Sequence, residues 1–384
     1  MKRDLHIYWD SGAAVGTDSK LPFNGAMQSA LTLLAAVALL AAVTVPAAAQ
    51  VKAGATTAEV ANYAGADRAQ KLAEGAKKEG ELNIYTSAQS DDMGALVSAF
   101  EKKYGVKVNM WRSSSEKVLQ RAVTEARGNR FTMDVAETNG PELEAMHREK
   151  IFEAVKSPYL ADLIAPAINS HGEWVGTRLN VFTQAYNTSL VKKEDLPKTW
   201  EDLLNPKWKG KLGIEQEDSD WLAGQYAELG EARATKVFKD IVAANGVSVR
   251  KGHTLLTQLV VSGEIPLALT VYNYKAEQLK GKGAPIDWFT IGPAIARPNG
   301  IGVAKKAPHP HAAVLFYDFE ISPEGQKILA GRDFVPTSKK VDTPLNKIPM
   351  KCLLKDCGPS LKRRSLPLMT RGIERKRVSS SFRL

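Results

Sequence analysis

The chain has 384 residues, with 52 Lys+Arg against 42 Asp+Glu and a formal net charge of +10. Ten basic and only two acidic residues lie in 351–384, and 1–49 is balanced, so 50–350 carries just +2. Nucleic-acid binding needs a basic footprint spread over the fold, and here the charge is one terminal appendage, which excludes nucleic acid as a partner. Both cysteines, Cys352 and Cys357, fall in the same tail. A disulfide framework, a cysteine nucleophile and a thiolate metal site are therefore excluded for residues 1–350.

Ala30–Ala49 is charge-free and rich in Ala, Leu and Val, and it closes on Ala47-Ala48-Ala49. Thr32, Thr44 and Pro46 interrupt it, so it reads as a secretory h-region cut before Gln50 and not as a retained anchor. Asp4, Asp10 and Asp18 precede it, which makes Met27 as good a start as Met1. Residues 351–384 lack any amphipathic period and read as a basic, aberrant or disordered tail.

Between the ends, strand and helix patterns alternate. Asp67–Glu79 predicts a helix stopped by Gly80. Glu81–Ser87 alternates as a strand, and Met93, Leu96, Val97 and Phe100 follow at helical spacing. Val106–Trp111 predicts a strand, Ser113-Ser114-Ser115-Glu116 caps a helix running to Gly128, Met133–Ala136 is a strand, and Gly140-Pro141-Glu142 opens a helix. The alternation resumes with a strand at Lys211–Ile214 and helices at Trp221–Leu229, Glu231–Ala244 and Leu255–Ser262. Ile265–Val271 is a further strand, and Ala312–Leu329 is the final helix. Val175–Tyr186 and Trp288–Val303 are long extended segments. The pattern predicts an α/β protein with a largely parallel sheet: two Rossmann-like lobes joined by two crossing strands, with ligand in the cleft. Lobe 1 is expected at 50–177 plus 296–350 and lobe 2 at 178–295.

Glu81–Ser87, Gly105-Val106-Lys107-Val108, Tyr186-Asn187-Thr188, Leu196–Lys211, Ala307–Ala313 and Ser322–Gln326 carry a resemblance spanning Tyr63–Met350. At these residues the chain resembles the periplasmic solute-binding proteins of ABC importers, in the ferric-iron-type branch. The resemblance implies the type 2 periplasmic-binding fold, secretion to the periplasm, a monomer, and an ABC permease in the inner membrane as partner. It implies no resident cofactor, with ferric ion possible as cargo. The family's terminal helix, packed on the first lobe, is missing here, and the basic tail stands in its place.

Three helix starts follow strand ends with hydroxyl or amide side chains: Ser87, Gln89 and Ser90; Ser113, Ser114 and Ser115; Thr138 and Asn139. Helix N-termini attract anions, although ordinary capping accounts for any one of them alone. Arg112 and Arg178 are candidates to clamp a carboxylate or phosphate. Asp218, Asp220 and Trp221 lie in the loop of the second lobe, where a capping box is the simpler reading. Tyr272 and Tyr274 follow a strand where ferric members of the family place an adjacent tyrosine pair, but Asn273 separates them here. They are metal ligands only if the cargo is ferric ion, and the family's ferric histidine and glutamate positions are not clearly filled. His309 and His311, each beside a proline, read as a helix entry. His147, His171 and His253 have no partner at metal-ligand spacing. No G-x-S-x-G elbow, P-loop or complete dinucleotide fingerprint is present, so an enzyme on this fold is disfavoured. The residues favour a small phosphorylated or carboxylated organic anion as ligand, with ferric ion as the alternative.

Overall fold

The computed structural model describes residues 54–352. The secretory segment, a start at Gln50 and the tail beyond Cys352 lie outside the described residues. Helix α1 is Thr57–Asn62, closed by a capping box between Thr56 and Glu59, and α2 is Arg68–Glu79, ended by Gly80 in the left-handed region. Strand β1 (Glu81–Thr86) leads to α3 (Ser90–Tyr104), which buries Met93, Leu96 and Phe100 as its period predicts. Then come β2 (Lys107–Arg112), α4 (Ser115–Arg127) capped by Ser114, β3 (Val135–Asn139), α5 (Gly140–Arg148) and the short β4 (Phe152–Glu153). β5 runs from Trp174 to Asn187 with every residue buried.

The second half continues with β6 (Leu212–Glu215), α6 (Ser219–Leu229), α7 (Glu231–Asn245), β7 (Ser248–Arg250), α8 (His253–Ser262) and β8 (Leu267–Tyr272). After it come α9 (Asn273–Gly281), β9 (Ile286–Phe289), β10 (Ala294–Ala304), α10 (Pro310–Ile321), α11 (Pro323–Ala330), β11 (Val335–Pro336) and β12 (Met350–Cys352).

The main sheet runs β2-β1-β3-β10-β5-β8-β6-β7. β1 is parallel to β2 and β3, and β6 is parallel to β7 and β8, as βαβ connections require. β10 and β5 are antiparallel to each other and to the outer neighbours that flank them, β3 and β8. This is the two-lobed, twice-crossed type 2 architecture. The expected parallel sheet is thus confined to each half, and the two crossing strands are where direction reverses.

Three expectations need correction, and one helix, α9, was not expected. The single extended segment 288–303 is two strands, because Gly292 turns the chain at φ 71° between them. The single helix 312–329 is α10 and α11, broken where Ser322 ends one and caps the next ahead of Pro323. α9 starts directly from β8 with Tyr272 as its N-cap, so no polar signal announces it. The change of character after Met350 does not end the ordered pairing: Met350, Lys351 and Cys352 form β12, parallel to β10.

β5 and β10 pair closely enough that Gly300, at a register shift, has no space for a side chain. A Cβ there would meet the Val175 carbonyl oxygen at 2.1 Å. In the first half, α10 is buried from Ala312 to Ile321 and packs with α2. That contact encloses an ion pair, with Arg68 Nε donating to Asp318 Oδ2 at 2.9 Å, both side chains under a tenth exposed. Burial alone pushes the Asp318 carboxyl up, and Arg68 opposes it. Removing one partner of such a pair strands a buried charge, at about 3–5 kcal/mol. Arg68→Met should therefore lower unfolding free energy by about that amount in urea titration, and a loss below 1 kcal/mol would show that the pair is not a stability element.

Candidate functional site

β8 ends at Tyr272 and α9 begins at once, so Tyr272 and Tyr274 leave the strand end one helical step apart. Their rings stack with centroids 5.8 Å apart and 15° between planes, and both are buried. Asn273 does not keep them apart, because α9 turns both toward the same region. Tyr274 packs on Phe334 at 4.2 Å, and Tyr272 on Phe182 and the His253 ring. Burial pushes both phenols well above the usual tyrosine range, against which Arg297 lowers Tyr272 and Arg178 lowers Tyr274.

The crossing strands supply those two arginines. Arg297 on β10 donates to the Tyr272 hydroxyl and to Asp220 Oδ2 at 2.5 Å. Arg178 on β5, 2% exposed, donates to Glu137 Oε1, lies 4.0 Å from Glu320 and stacks 4.7 Å over Phe334. Arg178 is thus already paired with a carboxylate inside the fold. Arg112 is exposed at the end of β2, donating from Nε to the Ala88 carbonyl at 3.2 Å.

The three helix starts do lie at strand ends, but their side chains are largely bonded to one another. Thr138 Oγ1 donates to Ser87 Oγ at 2.9 Å, and Asn139 Nδ2 donates to Ser115 Oγ at 2.6 Å. Ser114 Oγ accepts from Lys117 N as an ordinary cap, and the Ser113 N–H donates to Thr86 O. Gln89 precedes α3 without a side-chain cap bond, and Ser90 is exposed. Glu142 occupies the first turn of α5, placing a carboxyl where an anion was expected.

Apart from Asp218 and Asp220, the carboxyls are what the sequence reading missed. Glu137 is buried on β3, Glu320 on α10, Glu215 at the end of β6 and Asp218 at the start of α6, with Glu142 and Asp220 half-buried. Asp218 is not a simple cap: it makes no side-chain cap bond, and Oδ1 pairs with His253 Nε2 at 2.9 Å. His253 thereby acquires a partner that spacing along the chain could not reveal. Burial raises the carboxyls of Glu142 and Glu215, and burial together with Glu137 pushes Glu320 up to about 8. His147 likewise stacks on His171 at 3.8 Å and bonds Glu173, away from these groups in sequence and fold.

The two halves also meet across Asp92, which is 2% exposed at the start of α3. It accepts from Arg332 Nη2 at 2.7 Å, Gln278 Nε2 at 3.0 Å and Lys275 Nζ at 3.3 Å. Lys275 and Gln278 belong to α9, the helix that carries Tyr274. A cavity of about 730 Å³ elsewhere, lined by Arg68, Tyr104, Tyr159 and Asp318 among others, contains none of the cleft residues.

The two-lobed α/β fold thus gathers its buried charged residues at the crossing strands, between its halves. The family model of bacterial extracellular solute-binding proteins matches residues 95–351, and the chain belongs to that family. It is 26% identical over 288 residues to Iron uptake protein A1 of Synechocystis sp., covering 68% of this chain and 78% of that one. Among solved structures, iron-bound HitA from Pseudomonas aeruginosa superposes with a TM-score of 0.63 at 22% identity, covering 72% of this chain and 94% of that one. The Trichodesmium IdiA/FutA protein in complex with iron and citrate gives 0.56 at 25% identity, covering 72% and 90%. The expected resemblance to the ferric-iron-type branch of the ABC importer binding proteins is met.

Glu320 gives the site a pH signature. Its folded pKa lies above the unfolded value, so the folded state holds a proton that the unfolded state has lost once pH exceeds the usual carboxylate range. Its contribution to stability falls as pH rises through that window to about 8, by up to about 1.4 kcal/mol per pH unit. Calorimetry at pH 5.5 and 8 should show a smaller drop in Tm for Glu320→Gln than for the native chain. An equal drop would place the titration elsewhere.

Proposed function

We propose that this protein captures ferric ion in the interlobe cleft outside the cytoplasmic membrane, for delivery to an ABC permease, with Tyr272 and Tyr274 as its phenolate ligands. The observation that carries this reading is the set of oxygen donors gathered around the tyrosine pair. Six carboxyl groups, those of Glu137, Glu142, Glu215, Asp218, Asp220 and Glu320, face two guanidiniums, those of Arg178 and Arg297.

Both guanidiniums are already paired. An added anion would find both guanidiniums occupied, whereas a hard cation meets six carboxyl groups that become oxygen donors as it displaces their protons. The buried phenols and the raised carboxyls of Glu142, Glu215 and Glu320 also hold protons that a hard trivalent ion displaces on binding. The family relatives whose names specify iron support the same choice. The small organic anion favoured from sequence rested on Arg112 or Arg178 with three helix starts; Arg178 is paired with Glu137, and two of the starts bond to their neighbours through Ser87 and Ser115, while Arg112 stays exposed.

Ferric citrate added to the iron-free protein should produce a visible phenolate-to-iron charge-transfer band. Tyr272→Phe and Tyr274→Phe should each abolish or strongly shift it and weaken iron binding by tenfold or more (about 1.4 kcal/mol), while Arg112→Ala leaves both unchanged. If no band forms and a metal-free carboxylate or sugar phosphate raises Tm instead, the cargo is an organic anion.

A further inference from the structure

A hollow of about 200 Å³ lies in the first half of the fold, where the loop after α4, the end of α5 and the end of β10 meet. Its floor is apolar: Ala122, Met133, Ile151 and Ala304 are buried there, and Phe131 lines it half-buried. The hollow is remote from the cleft. Val303 of β10 pairs with Val135 at the start of β3, while Asn299 pairs with Asn139 at its other end, where α5 begins. β3 thus separates hollow from cleft by its own length, about 13 Å.

Arg130, Lys150, Lys305 and Lys306 line the same hollow. All four are exposed, and among the described residues none makes a hydrogen bond or ion pair through its side chain. Lys306 rests over the Phe131 ring at 4.4 Å. The two carboxylates present are already committed. Glu125 accepts from Arg121 Nε at 2.7 Å and from the Tyr85 and Thr132 hydroxyls. Glu149 accepts from Arg127 Nη2 at 2.8 Å. With those two arginines included, six cations face two carboxylates. Residues 50–350 carry only +2 in all, so a surplus of four here leaves the remainder of that stretch net negative. Cations beside the ends of α4 and α5 complement the helix dipoles, but Lys305 and Lys306 follow a strand and have no such role.

The hollow is too small for a whole small-molecule ligand, whose pockets run to about 300–1,000 Å³. It takes one side chain. An apolar floor under a cationic rim matches an apolar anchor flanked by negative charge. A lipid surface fits less well, because surface-bound proteins bury protruding apolar side chains in it. The exposed large hydrophobic residues among those described are Ile168, Leu190, Val242, Val249 and Leu255, and none of them lines the hollow.

We propose that this hollow is a docking site for an acidic polypeptide segment of a partner protein. The segment places one aromatic or branched aliphatic side chain on the apolar floor and its carboxylates on Arg130, Lys150, Lys305 and Lys306. With β3 between hollow and cleft, such a partner holds the protein without covering the cleft. The proposal goes beyond the ferric reading and does not rest on it.

The test is fluorescence anisotropy of the full chain with a labelled peptide of one phenylalanine flanked by three glutamates on each side. Saturable binding is expected, weakened about tenfold or more in the double variant Lys305→Glu/Lys306→Glu, and likewise when alanine replaces the peptide's phenylalanine. Raising salt from about 50 to about 200 mM should weaken it several-fold. Lys239→Glu on the exposed face of α7 should leave it unchanged, and circular dichroism verifies that the variants fold. Binding that persists in the double variant, or that ignores the phenylalanine, belongs to the basic segment 351–384 and would overturn the site. Absence of saturation by about 1 mM peptide would overturn it too. So would tighter binding to phosphatidylglycerol vesicles through the same lysines, which would make the partner a membrane.

Discussion

The structure turns on one constraint: β5 and β10 are buried along their whole lengths and yet carry polar residues. Fourteen residues of β5 and eleven of β10 lie inside the protein, among them Arg178, Asn180, Gln184, Arg297 and Asn299. Backbone pairing satisfies the main chain but not these side chains, and a buried charge without a partner is expensive. The partners come from every direction: Glu137 from β3, Glu320 from α10, Asp220 from α6 and the Tyr272 hydroxyl from β8. The polar centre of the cleft is therefore a consequence of how the two halves are joined. Gln184 shows the same rule without charge, since its Nε2 donates to Leu269 O and its Oε1 accepts from Ile291 N.

The alternation of strand and helix was legible because each half is built from short parallel units. In such units apolar period and polar cap agree, as at Ser114 ahead of α4 or Gly80 after α2. The break at Ser322-Pro323 was missed although its signal is local, a helix ending before a proline with Ser322 capping the next. α9 was not visible, because tertiary burial of Tyr272 and Tyr274 replaces the polar cap that announces a helix. The roles of the charged residues were the least legible. Arg178 and Glu137 are 41 residues apart, and His253 and Asp218 are 35 apart. Whether an arginine is a free clamp or half of a buried pair depends on those distant neighbours, and a local motif says nothing of them.

The phenol pair and the bridge between the halves share one helix. α9 carries Tyr274 on its first turn, and Lys275 and Gln278 reach Asp92 at the start of α3. Displacement at the phenols must therefore be felt by the bridge between the halves, which Arg332 completes. Burial draws the Lys275 ammonium below its usual pKa while Asp92 holds it up.

The position of β10 in the chain has a consequence for how the protein is made. β3 finds its second neighbour only in β10, so the first half-sheet keeps an open edge until residues 294–304 have been synthesised. At roughly 5–20 residues per second, that edge stays unpaired for many seconds after β3 itself exists. Pairing so distant in sequence also folds slowly once it is possible. A nascent chain of this design carries an open strand edge through much of its synthesis, and such an edge is a template for pairing with other chains.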